Sequence, residues 1–118
     1  MMSGRRKRQS GLMRIPQDAV ISDDKLTGYL LVARRRNDKS QFLNQVGFSV
    51  EQPHLLDAAL RTLISSNEAV LDRQDIYGSF FRVEGHLRGP NGSLHVITIW
   101  LEEAASDRYR FITLKPRR

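Results

Sequence analysis

The chain predicts an α+β domain with two to three N-terminal helices packed on one face of a four-stranded antiparallel meander sheet. Three observations carry that expectation. Apolar residues recur at helical spacing up to Asn67, the period changes to two from Ala69 onward, and Gly89-Pro90-Asn91-Gly92 marks a tight reversal between two alternating runs. The length of 118 residues suits a single core, and no internal repeat is visible.

Residues 1–14 lack periodicity and hold Arg5, Arg6, Lys7, Arg8 and Arg14 without an acid, which reads as a disordered basic tail. Ile15-Pro16 opens the single α+β domain, assigned to 15–116, as an extended lead-in, and 117–118 form a basic C-terminal end. Ser22-Asp23-Asp24 is a helix start, with a cap hydroxyl and acids beside the positive end of the dipole. Leu26, Tyr29, Leu30 and Ala33 form its apolar stripe, and Arg34-Arg35-Arg36 close it. A second helix spans Asp38–Val46 with Phe42, Leu43 and Val46 inward, Gly47 as a left-handed stop and Phe48 packing back. A third begins at Ser49, where Ser49 and Gln52 have capping-box spacing. It buries Leu55, Leu56, Ala59, Leu60, Leu63 and Ile64.

The strands follow. Val70–Tyr77 is weak, and Gly78 is a turn or bulge. Phe81, Val83, Gly85 and Leu87 alternate with polar neighbours. Leu94–Leu101 is the most apolar strand, and Tyr109–Leu114 is the last. With Gly89 opposite Gly92, Leu87 meets Leu94, Gly85 meets Val96, Val83 meets Thr98 and Phe81 meets Trp100 on the helix-facing side. The other side pairs His86 with His95, Glu84 with Ile97, Arg82 with Ile99 and Arg88 with Ser93, and a regular second hairpin adds Arg110. A slip of one residue would reverse every assignment.

The net charge of +6 is unevenly spread. The first 14 residues carry +5 and the last four +3, so the body between them is −2. Basic ends bind RNA or another polyanion by counterion release without sequence preference, although a solvated tail needs no partner. Arg34–Arg36 with Lys39 make a further basic cluster. The absence of Cys excludes a disulfide framework, thiolate catalysis and Cys-ligated zinc, and fits a reducing, cytoplasmic location. No apolar run is long enough for a membrane span, and no phosphate-loop, HExxH or nucleophile-elbow pattern is present. No cofactor or metal is therefore implied.

His86, His95 and Glu84 form the one constellation with catalytic potential, and Arg82, Arg88 and Arg110 are the candidate phosphate-binding residues. Two imidazoles, a carboxylate and guanidinium groups are what RNA cleavage without a metal requires: a base, an acid and a cation for the phosphorane. Ordinary cross-strand polar pairing explains the same residues without catalysis. His54 reads as surface, Trp100 and Tyr29 as core. Tyr77 and Tyr109 are strand-edge aromatics, and Thr98 and Thr113 lie on the apolar face. Ile97, Ile99, Leu101, Ile112 and Leu114 make an apolar stripe on the open face, which suits a protein partner or homodimer.

Three stretches also carry a resemblance. Ile15-Pro16 leads to Lys25-Leu26 and Tyr29-Leu30-Leu31. Phe42 leads to Val46-Gly47-Phe48. Tyr77-Gly78 and Gly85 lead to Gly89-Pro90-Asn91-Gly92 and Thr98-Ile99-Trp100. In this order the chain resembles a family of small bacterial domains of unknown function over residues 15–116. The helix-then-meander order is also similar to the barnase/colicin/RelE-type nuclease fold, which implies a site on the open sheet face. The expected function is thus a toxin-like, metal-independent endoribonuclease. The alternative is a non-enzymatic binding or assembly module of a bacterium or mobile element.

Overall fold

The computed structural model describes residues 13–31 and 39–117. Helices α1 (Asp23–Lys25), α2 (Ser40–Asn44) and α3 (Pro53–Ser66) precede strands β1 (Ala69–Asp75), β2 (Gly78–Gly89), β3 (Gly92–Glu103) and β4 (Tyr109–Pro116). The strands form one antiparallel sheet in the order β1-β2-β3-β4. This is the expected α+β arrangement. Among the described residues, no helix is long and apolar enough to cross a membrane.

Helices α1 and α3 depart from their sequence expectations for local reasons. Ser22 caps α1 as expected, its hydroxyl accepting from Lys25 N–H at 3.2 Å. The chain then widens into a π-helical turn, Leu26–Leu30, closed by Leu31 N–H on the Leu26 carbonyl at 3.0 Å. Thr27 Oγ1 donates back to the Asp23 carbonyl at 2.9 Å, a contact that loosens the helical ladder there. The wider turn brings Leu26, Leu30 and Leu31 into the core together. The expected continuation through Ala33 to Arg34–Arg36, the Asp38 start of the second helix and most of the basic tail lie outside the described residues.

Helix α2 ends as the sequence suggests. Gly47 has φ +97°, and Phe48 N–H reaches back to the Leu43 carbonyl at 3.2 Å. Helix α3 begins four residues later than expected. Pro53 is its first residue, because a proline ring suits that position and disfavours helical geometry in the residue before it. Ser49 and Gln52 instead close a turn through Gln52 N–H and the Ser49 carbonyl, at 3.1 Å.

The β2–β3 register is the one expected, from Gly89↔Gly92 through His86↔His95 to Phe81↔Trp100. The core therefore lies between the helices and Phe81, Val83, Leu87, Val96, Trp100, Phe111 and Leu114. Thr98 is fully buried there, donating to the Val83 carbonyl at 2.9 Å and accepting from Trp100 Nε1 at 2.8 Å.

The last hairpin is not regular, and this corrects two side assignments. A bulge between Ile99 and Trp100 pairs Ile99 with Thr113 but Trp100 with Phe111. The extra residue inverts the alternation beyond it. Leu114 consequently faces Thr98 in the core, not the open face, and is fully buried. Thr113 lies opposite Ile99 on the open face, where its hydroxyl accepts from Lys39 Nζ at 3.3 Å. The open-face apolar stripe also shrinks because Leu101 and Phe80 are mutually covered, with the Arg73 guanidinium 3.9 Å above the Phe80 ring.

Candidate functional site

The β2–β3 hairpin builds the site. Its two-residue turn sets the pairing, and the pairing sets the face. The His95 carbonyl accepts from Arg117 N–H at 2.9 Å on the β4 side, so it points away from β2. His86↔His95 is thereby a non-hydrogen-bonded pair, the kind whose side chains approach most closely. The imidazoles stack with centroids 4.7 Å apart and planes 18° from parallel. Both side chains are exposed on the helix-free face.

Glu84, one step along the same face, accepts from His95 Nε2 at 2.9 Å. The same oxygen accepts from Arg117 Nε at 2.9 Å. A hydrogen on Nε2 leaves Nδ1 as the lone-pair nitrogen of neutral His95. Glu84 thus selects a tautomer, while Arg117 holds the carboxylate in place. Arg88 lies two residues from His86 on the same face, about 7 Å along the strand. It has no carboxylate partner among the described residues.

The other candidate cations lie farther off. Arg82 is about 13 Å along β2 from His86 and pairs with Asp72 at 3.6 Å. Arg110, opposite Leu101, is about 20 Å along the sheet from His95. It donates to Glu103 at 2.9 Å. This guanidinium, with the Ser106 hydroxyl, holds the Glu103 carboxyl below the usual glutamate range. The structure therefore brings His86, His95, Glu84 and Arg88 together and leaves Arg82 and Arg110 at a distance.

Arg117 is the site residue that sequence reasoning missed. By sequence it belongs to a basic end, yet its main chain extends the β4 pairing to His95. The missing signal was the bulge, which shifts which residues of β4 reach His95. His54 is exposed, and Trp100 is core, as expected. Tyr109 packs on Phe81 at 6.2 Å, whereas Tyr77 is exposed in the β1–β2 turn. Among the described residues, no three His, Asp or Glu side chains converge as a metal site would need.

Fold and site together define a small α+β domain whose sheet carries a histidine-carboxylate-arginine strip on its open face. A family model described as "Domain of unknown function (DUF6883)" matches residues 13–118, and the chain belongs to that family. No curated protein and no solved structure matches the chain.

Proposed function

We propose that the open sheet face binds RNA and cleaves it by histidine acid–base chemistry without a metal ion. The stacked exposed pair His86–His95 carries this reading, because both rings can address a single phosphate. His95 Nδ1, its tautomer set by Glu84, takes the proton from a ribose 2′-hydroxyl. The 2′-oxygen then attacks phosphorus, forming the O2′–P bond as the P–O5′ bond breaks. Protonated His86 gives its proton to the leaving 5′-oxygen, and the product is a 2′,3′-cyclic phosphate. Arg88, with Arg117 beside Glu84, stabilises the charged phosphorane. Arg82 and Arg110 lie farther along the face and are already paired with Asp72 and Glu103, so they contribute little to phosphate binding.

The helix-then-meander order, similar to that of the barnase/colicin/RelE-type nucleases, agrees with this reading at the level of fold, and a fold alone does not assign an activity. The test is cleavage of a labelled RNA in EDTA. Wild type is expected to yield cyclic-phosphate ends, and His86→Ala and His95→Ala to be slower by about 100-fold or more. RNA binding without cleavage by the folded wild type would replace this reading with that of a binding module.

A further inference from the structure

Strand β1 covers only half of β2. Its pairing ends at Ala69↔Val83, and among the described residues no strand lies beside Glu84–Gly89 on that side. A cavity of about 420 Å³ occupies the gap. Leu55, Ala58, Ala59 and Thr62 of α3, with Phe48 and Pro90, form its mostly apolar wall. His86, Arg88 and Gly89 complete it from the strand.

Both ends of this gap are closed. The Asn67 side chain packs on Gly85, and the Val46 carbonyl packs on Gly89, so closely that a Cβ at either glycine would overlap it. Four residues of strand, about 13 Å, separate these stops. That length admits a planar ring with part of a sugar. The hydrogen-bonding pattern adds a second property. Because His86 belongs to a non-hydrogen-bonded pair with His95, its own N–H and C=O point away from β3, toward the cavity. By the same alternation Arg88, opposite Ser93, points its N–H and C=O that way too, so the cavity offers apolar faces, the backbone donors and acceptors of His86 and Arg88, and the Arg88 guanidinium at its rim.

We infer that this cavity holds an unpaired nucleobase adjoining the phosphate at His86 and His95, so that the substrate is single-stranded RNA. A base has two apolar faces and a polar edge, and its attached phosphate would fall beside Arg88 and His86. A base held in a duplex could not enter, since its edge is occupied and its faces are stacked. The inference rests on the phosphodiester reading of the histidine pair, and it adds what that pair alone does not specify.

The test uses nucleoside 3′-monophosphates, ribose 5-phosphate and inorganic phosphate as probes, with backbone amide NMR on the full chain. Nucleotides are expected to bind about 10-fold more tightly than ribose 5-phosphate, shifting amides in residues 55–62 and 86–89. Ala58→Phe, at an exposed helical position on the cavity wall, is expected to remove that advantage while leaving inorganic phosphate affinity unchanged. Single-stranded RNA is expected to be cleaved at least about 10-fold faster than duplex by wild type. Equal binding of nucleotide and ribose 5-phosphate, or an advantage that survives Ala58→Phe, overturns the cavity assignment alone when wild type still cleaves RNA. Absence of both cleavage and phosphate binding overturns the histidine reading and the cavity with it.

Discussion

The His95 imidazole is held from two sides: Glu84 accepts from its Nε2 at 2.9 Å, and the His86 ring stacks on it at 4.7 Å. Neither contact buries it. Glu84 orients one imidazole while the other stays open, so the two rings are not equivalent. If His95 is the base and His86 the acid, replacing either histidine removes most of the cleavage rate. Glu84→Gln keeps the size of the side chain but loses the charge that supports His95. It is expected to lower the maximal rate by about 10-fold or more, with little change in KM. Steady-state cleavage across pH checks this, and a Glu84→Gln profile superimposing on wild type would remove Glu84 from the mechanism.

The cations on the open face should differ in weight. Arg88 is without a carboxylate partner among the described residues, whereas Asp72 and Glu103 already balance Arg82 and Arg110. Arg88→Ala is expected to reduce the salt slope of single-stranded RNA binding by about 0.7, the value for one phosphate contact. Arg82→Ala and Arg110→Ala should leave the slope nearly unchanged. Binding isotherms at several salt concentrations provide the comparison.

Thr98 is a buried hydroxyl with two partners, the Val83 carbonyl and the Trp100 indole. Thr98→Val preserves shape but leaves the fully buried Trp100 Nε1–H without an acceptor. Leaving such a donor unpaired costs about 1–3 kcal/mol. A lower urea midpoint at an unchanged m-value, the two together giving that loss of stability, is expected. No shift would mean that the indole finds another partner.

Glu103 gives the fold an acid-sensitive contact at the β3–β4 turn. Its carboxyl is held below the ordinary glutamate value by Arg110 first and the Ser106 hydroxyl second. A lowered folded pKa contributes stability that is complete above the unfolded value, about 4.3, and lost as pH falls through the folded one. Stability of wild type should thus fall below about pH 4.3 more steeply than that of Glu103→Gln. Thermal melts at stepped pH measure this, and parallel curves would count against the contact.

Much of the sheet was legible in the sequence because its signals are local. Gly89-Pro90-Asn91-Gly92 allows one tight turn, and that turn sets every pair from Gly89↔Gly92 to Phe81↔Trp100, including the two histidines. The Gly47 stop after α2 was legible for the same reason, since its positive φ depends on one residue. The helix starts were less legible. Ser49 and Pro53 offer rival beginnings, and the backbone demands of proline prevail over the cap spacing.

What the sequence by itself determined is the layering: helices on one face, a meander sheet, and His86, His95 and Glu84 together on the other. Alternation and turn chemistry act between near neighbours, so composition and spacing suffice. Three further features were decided by the tertiary structure alone. The bulge at Ile99–Trp100 moves Leu114 into the core and leaves Thr113 on the open face. The reach of Arg117 to His95 and Glu84 joins residues that are 22 and 33 positions apart in sequence. The cavity beside Glu84–Gly89 exists because β1 stops short and α3 passes over the gap. Each depends on how separate elements meet, which no local period encodes.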